Sequence, residues 1–248
     1  MGEVIAVVSG KGGAGKTTVC ANVAAALALA GHRVLCIDAD LGLRNLDIVL
    51  GMEDGALFHL VDILRGRCAA KDAVLAHRQI AGLFFIPASQ QDIPSQVSPA
   101  AMAKFCRDIA AAYDYVLIDC PAGIGEGLDF ATAGAHRALI VANPDFASVR
   151  DADRVAGILH ERGIDDLRLV INKVRPRLIH KKQAPDIDAV IDATKVRLIG
   201  IIPERDTVIA AANRGVPIVL HKRDKAAKAL CNIASRVAGK QAPLMRFR

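Results

Sequence analysis

The chain has 248 residues, of which 52% are hydrophobic and 23% charged, which excludes a disordered protein and leaves room for one large domain with its own core. Aromatics make up 4% and tryptophan is absent, so the core must be built from Ala, Val, Ile and Leu, as in a parallel sheet buried on both faces. The net charge of +6 is split, with 12 Lys/Arg against 15 Asp/Glu in residues 1–150 and 20 against 11 in residues 151–248; the basic half suits a solvated face or an anionic partner such as membrane, nucleic acid or an acidic protein.

Glu3–Ser9 is a β-branched run and reads as the first strand. Lys16–Ala30 reads as a helix, with Val19, Val23 and Leu27 spaced by four and Gly31 as its stop. Arg33–Ile37 is the second strand. Further strands are predicted at Leu83–Ile86, Tyr115–Ile118, Ala138–Val141, Leu167–Ile171 and Leu198–Ile202. Helices are predicted at Pro99–Ala112, Val149–Arg162, Ile187–Thr194 and Thr207–Arg214, with a last one over Asp224–Ala238 before Gly239. This alternation predicts an α/β fold: right-handed βαβ units in a mainly parallel sheet, with helices on both faces. Ligands of such sheets bind at the carboxyl ends of the strands.

No repeat or long linker divides the chain, so residues 1–239 read as one domain and residues 240–248 as a short basic and apolar tail. The start carries Glu3 and lacks the basic-then-apolar pattern of a targeting signal. The longest uncharged apolar stretch, Thr17–Gly31, is too short to span a bilayer. Six cysteines form no C-x-x-C pair and read as reduced, mostly buried thiols, which suits the cytoplasm.

Gly10-Lys11-Gly12-Gly13-Ala14-Gly15-Lys16-Thr17 satisfies G-x-x-x-x-G-K-[ST] between a strand and a helix. The glycines allow a curl whose N–H groups face phosphate oxygens, and the following helix adds the positive end of its dipole. Lys16 is expected to reach the β- and γ-phosphates, Thr17 to bind Mg²⁺, and Thr18 to complete the nucleotide-binding segment Gly12–Thr18. Tyr115–Asp119 is an apolar strand ending in a carboxylate, the Walker B pattern, so Asp119 is a metal-site candidate. Guanine needs a carboxylate acceptor three residues beyond an Asn. Here Arg175 stands three residues after Asn172 and cannot accept a hydrogen bond, so ATP is favoured over GTP. Asn172 can serve adenine as donor and acceptor, and Pro203-Glu204 is a candidate second wall for the base.

Lys11 adds a second lysine to the loop. The form Lys-Gly-Gly-x-Gly-Lys-Thr resembles the deviant Walker A of the MinD/ParA family of dimerising ATPases, P-loop NTPases of the SIMIBI type. Asp38–Asp47 resembles the family's switch I, and Asp119–Ile124 its switch II. Asn143-Pro144, Ser148–Arg154, Ile202–Glu204 and Asn213–Pro217 extend the likeness over nearly the whole chain. Arg44-Asn45-Leu46-Asp47 resembles the septum-placing branch rather than the flagellar-number branch. The resemblance implies an ATP-bound homodimer in which Lys11 crosses to the partner's ATP. It assigns Asp40 to orienting the attacking water and Asp38 to the metal's outer shell. It also implies slow, partner-stimulated hydrolysis and regulatory division proteins of the MinC or MinE type, bound at Asp145, Ser148, Asp151 and Asp153. Relatives of that branch end in an amphipathic membrane helix. Pro243 opposes such a helix here, and Leu244, Met245, Phe247, Lys240, Arg246 and Arg248 are expected to give only a weak contact with the anionic inner face of the cell membrane. A second reading is a DNA-binding segregation ATPase, with Lys173, Arg175, Arg177, Lys181 and Lys182 as phosphate contacts. A third, an iron–sulfur carrier on the same fold, is opposed by the absence of cluster spacing around Cys106 and Cys120.

Overall fold

Strand-forming runs rich in Val, Ile and Leu gather into one sheet in the computed structural model of the chain, which describes residues 2–53, 55–92 and 97–245. The strands are β1 (Glu3–Val8), β2 (Val34–Asp38), β3 (Leu75–Ala76), β4 (Leu83–Ile86), β5 (Tyr115–Asp119), β6 (Arg137–Ala142), β7 (Asp166–Val174) and β8 (Arg197–Pro203). Their order is β3-β4-β2-β5-β1-β6-β7-β8. Every described neighbour pair is parallel except β3 with β4. β1 is therefore central, and it is buried on both faces, as its unbroken apolar run requires. Register sets Val7 beside Asp119 and Asp38 beside Asp119, which brings both strand-end carboxylates to the carboxyl end of β1.

The helices are α1 (Lys16–Leu29), α2 (Leu46–Leu50), α3 (Leu60–Leu64), α4 (Ala70–Ala73), α5 (Pro99–Ile109), α6 (Glu126–Thr132), α7 (Phe146–Glu161), α8 (Pro176–His180), α9 (Ile187–Thr194), α10 (Asp206–Ala212) and α11 (Lys225–Val237). One face of the sheet packs Met102, Phe105, Phe130, Val155 and Leu159 from α5, α6 and α7. The other packs Val19, Val23 and Leu27 of α1 with Leu230 and Ile233 of α11. Residues Val19 to Ala28 of α1 are all buried, because the sheet lies on one side of this helix and α11 on the other. Asn22 is the polar exception. Its amide donates to the Thr18 carbonyl (2.8 Å) and accepts from the Val219 N–H (3.2 Å), so it ties the Ile218–Leu220 turn to α1 without leaving a buried orphan.

Several boundaries differ from the sequence expectation. The helix predicted from Val149 begins at Phe146, because Asp145 caps it by accepting from the Ser148 N–H (2.9 Å). The strand predicted to end at Ile171 runs to Val174 through a register shift in which Lys173 takes a positive φ. The short helices α2, α3, α4, α6 and α8 were not predicted; a helix of four to seven residues shows too little of the 3.6-residue period. The tail folds back along α11: Asn232 donates to the Pro243 carbonyl and Arg236 to that of Ala242. The membrane contacts expected of Arg246, Phe247 and Arg248 lie outside the described residues. No described helix is long and apolar enough to cross a membrane.

Candidate nucleotide and metal site

The glycine-rich loop joins the carboxyl end of β1 to the first turn of α1. Gly15 takes φ 94° at the N-cap, a left-handed conformation that disfavours any side chain, and a Cβ there would fall 2.3 Å from the Asn172 amide nitrogen. The loop's carbonyls are engaged from outside. Asn172 Nδ2 donates to the Ala14 carbonyl (2.8 Å), Lys173 Nζ to that of Gly13 (2.7 Å), and Ser9 Oγ to that of Lys11 (2.9 Å). With carbonyls held outward, the N–H groups are left for an anion. Lys16 is buried, whereas Lys11, Gly12 and Gly13 are exposed. The Gly123 N–H donates to the Ser9 carbonyl (3.1 Å), so the turn after β5 is joined to the root of the loop.

Three carboxylates face this loop. Asp119 is fully buried, and neither oxygen meets hydrogen-bond geometry with a partner among the described residues, although the Thr17 hydroxyl is near enough to favour its charged form. Burial pushes its pKa up to about 6 against the pull of Lys16. Asp38 is also fully buried. Its oxygens accept from the N–H groups of Asp40 (3.0 Å) and Leu46 (3.1 Å), which fixes the start of the segment after β2. Burial, with the charge of Asp119 next, raises it to about 7. Asp40 is half-buried; burial raises it and Lys16 opposes the rise. Two buried acids, one with both oxygens orphaned, next to Thr17 are a donor set that fits a hard divalent cation. Asp119 and Thr17 would hold it, with Asp38 behind them.

The base-pocket candidates are not all in one place. Pro203 and Glu204 line a cavity of about 540 Å³ with Arg175, which pairs with Glu204. Asn172 is not in that lining; its amide is turned to the loop. Sequence reasoning missed the bracing role of both Asn172 and Lys173. No spacing rule in the sequence selects them, because the bracing depends on the positive φ of Lys173 within β7, which only the fold shows. Of the basic run proposed for DNA, Lys173 is bound to Gly13 and Arg175 to Glu204, so two of its five cations are occupied within the chain.

The partner-surface candidates divide similarly. Asp145 caps α7 and lies 3.8 Å from Lys11 Nζ. Ser148 is buried, and its hydroxyl accepts from the Asn143 N–H (2.9 Å). Asp151 packs against the loop, since a Cβ at Gly10 would meet its Cβ and carbonyl oxygen at 2.6 Å. Of the four, Asp153 alone is exposed.

A loop of this shape, opening a buried helix beside strand-end acids, is built for a polyphosphate and its cation, which places the chain among P-loop nucleotide-binding proteins. The chain belongs to the CobQ/CobB/MinD/ParA nucleotide binding domain family, whose model matches residues 5–218. It is 41% identical over 246 residues to the septum site-determining protein MinD of Bacillus subtilis, covering 98% of this chain and 92% of that protein. It is similar in structure to the MinC:MinD cell division protein complex of Aquifex aeolicus, with TM-score 0.93, 38% identity and coverage of 99% and 100%. It also matches the septum site-determining MinD of Pyrococcus horikoshii complexed with Mg-ADP, with TM-score 0.86, 31% identity and 96% of each chain covered.

Proposed function

We propose that this chain is an ATP-driven dimerising switch of the MinD type, acting in placement of the division septum. The observation that carries the catalytic part is the buried, unpartnered carboxylate of Asp119 beside Thr17 and the phosphate loop. In an apo protein such an acid is costly, and a bound cation with nucleotide offsets that cost. Thr17 and Asp119, with Asp38 behind them, would hold Mg²⁺, which would offset the charge of the phosphates.

The rest falls to the chain's own residues. Loop N–H groups and Lys16 hold the phosphates in line. Asp40, half-buried near Lys16, orients the attacking water. Lys11 is exposed on the loop and reaches a second nucleotide across a dimer interface, where its charge stabilises the transferring phosphoryl group as an arginine finger does elsewhere. Loss of the γ-phosphate removes that bridge, so the dimer loosens. Hydrolysis is slow alone and stimulated by a regulatory partner of the MinC or MinE type at the Asp145–Asp153 surface. Peripheral contact with the inner membrane face, rather than insertion, is the reading for localisation.

Sedimentation in Mg-ATP and in Mg-ADP, together with phosphate release, tests this reading. The expected result is a dimer in ATP alone, with turnover that requires Mg²⁺ and is abolished by Lys16→Ala. A chain that stays monomeric in non-hydrolysable ATP analogue would overturn the switch.

A further inference from the structure

The amino ends of β6, β7 and β8, opposite the phosphate loop, carry a row of charges that the ATPase does not use. Glu3, Arg137, Asp166, Arg168 and Arg197 occupy the α11 face of four adjacent strands. Arg137 is in register with Asp166, and Arg168 is in register with Arg197. The carboxylates are already engaged. Arg137 pairs with Glu3 (3.0 Å) and with Asp166 (2.7 Å), and Arg168 with the other oxygen of Asp166 (2.7 Å).

Three further cations have no carboxylate partner among the described residues: Arg197, Arg236 and Lys240. Arg236 is held by carbonyls only, donating to Ile199 O (3.1 Å) and twice to Ala242 O (3.0 and 2.6 Å). Those bonds fix its guanidinium without neutralising it. The same bonds bring the folded-back segment Gly239–Ala242 beside the strand ends, as one wall of a cavity of about 610 Å³ lined by all four arginines and Lys240. That volume lies within the range of small-molecule sites, about 300–1,000 Å³.

Two arginines in register on neighbouring strands repel, and like charges placed so are destabilising. Five cations around one concavity against two carboxylates deepen that cost. Such an arrangement is stabilised when an anion with several acceptor oxygens enters, since guanidinium forks match phosphate geometry. We propose that this cavity is an anion site for a phosphate ester, bound chiefly by Arg197, Arg168 and Lys240 and walled by Arg236. The ester can be a soluble phosphorylated compound or the headgroup of an anionic phospholipid. Both present anionic phosphate oxygens, and the concavity is open at the strand ends to admit either.

The test uses the full chain saturated with Mg-ADP, so that the phosphate loop is filled. Wild type is compared with Arg197→Gln/Lys240→Gln, two exposed side chains with no hydrogen bond among the described residues, and with a charge-matched control, Lys222→Gln/Arg223→Gln. Equilibrium dialysis against labelled glycerol 3-phosphate reads the soluble arm. Co-sedimentation with vesicles of phosphatidylglycerol in phosphatidylcholine reads the lipid arm. Unchanged ADP affinity and an unchanged melting profile certify that the double variant is folded. The expected result is a loss of about tenfold or more in at least one arm for Arg197→Gln/Lys240→Gln, with the control near wild type. Loss in dialysis alone identifies a soluble phosphate compound. Loss of vesicle binding in the double variant, with glycerol 3-phosphate displacing the wild type from vesicles, identifies a headgroup. Equal binding by wild type and the double variant in both arms, or an equal loss in the control, overturns the site.

Discussion

Lys11 Nζ lies 3.8 Å from Asp145 Oδ1 of the same chain, so the lysine expected to reach a second nucleotide rests on the cap of α7. Both side chains are about half exposed, and such a pair contributes under about 1 kcal/mol. It is a weak resting contact that a nucleotide can outcompete. Lys11→Ala is expected to leave monomer affinity for Mg-ADP within about threefold and to abolish the ATP-dependent dimer. Asp145→Asn retains a capping oxygen, so stability should change by less than about 0.5 kcal/mol while the dimer forms at least as readily. Sedimentation velocity checks both. A Lys11→Ala protein that dimerises like wild type removes the crossing role.

Asn172 bonds the Ala14 carbonyl across 158 positions of sequence. Removing the donor leaves a buried acceptor without a partner, at a cost of about 1–3 kcal/mol. Asn172→Ala should weaken binding of fluorescent ATP and GTP analogues by a similar factor, about tenfold, because the loop rather than the base pocket is disturbed. A change in the ATP-to-GTP ratio instead would mean that Asn172 reads the base.

Asp40→Ala should bind ATP and dimerise, with single-turnover hydrolysis slower by about a hundredfold or more. Rapid quench in the presence of a stimulating partner is the measurement. Wild-type turnover would take Asp40 out of the mechanism.

Asp224 caps α11, accepting from the N–H groups of Ala226 (2.7 Å) and Ala227 (3.4 Å) and from the Thr207 hydroxyl (2.8 Å). Burial alone would raise its pKa, but these bonds and Arg205 hold it below the ordinary value of 3.8. A depressed folded pKa contributes stability above the unfolded pKa and loses it as pH falls through the folded one. Asp224→Ala should therefore cost about 1–2 kcal/mol in denaturant unfolding at neutral pH, with the gap narrowing below the ordinary carboxylate range. A gap that stays constant down to acid pH would show that the bonds do not depend on charge.

Much of this site was legible in sequence because its parts are local. The loop is eight consecutive residues, and Asp119 closes an unbroken apolar strand. Asp38 and Asp40 follow a strand of the same kind. Sheet order and the carboxylate pairing Asp38–Asp119 were not legible, since register is set between strands 81 residues apart. The role of Ser148 was also hidden. It sits among acidic residues and reads as surface, yet the cap at Asp145 starts the helix early and turns its hydroxyl inward to Asn143. The charge row at the far end of the sheet escaped notice because its members come from four strands and α11, and no two neighbours in sequence mark it.

The enclosure of α1 between the sheet and α11 bears on how the molecule opens. Amide protons of Val19 to Ala28 have no route to solvent short of separating α11 from the sheet, so they should exchange only at the rate of global unfolding. The phosphate loop is anchored to the most protected segment, while Lys11 and the segment after Asp40 lie on the exposed side, where opening is local. Nucleotide binding should then slow exchange in the loop and the switch segments by large factors and leave mid-α1 already at its ceiling. The ATP signal is received at a rigid base and expressed in the loosely held surface around it.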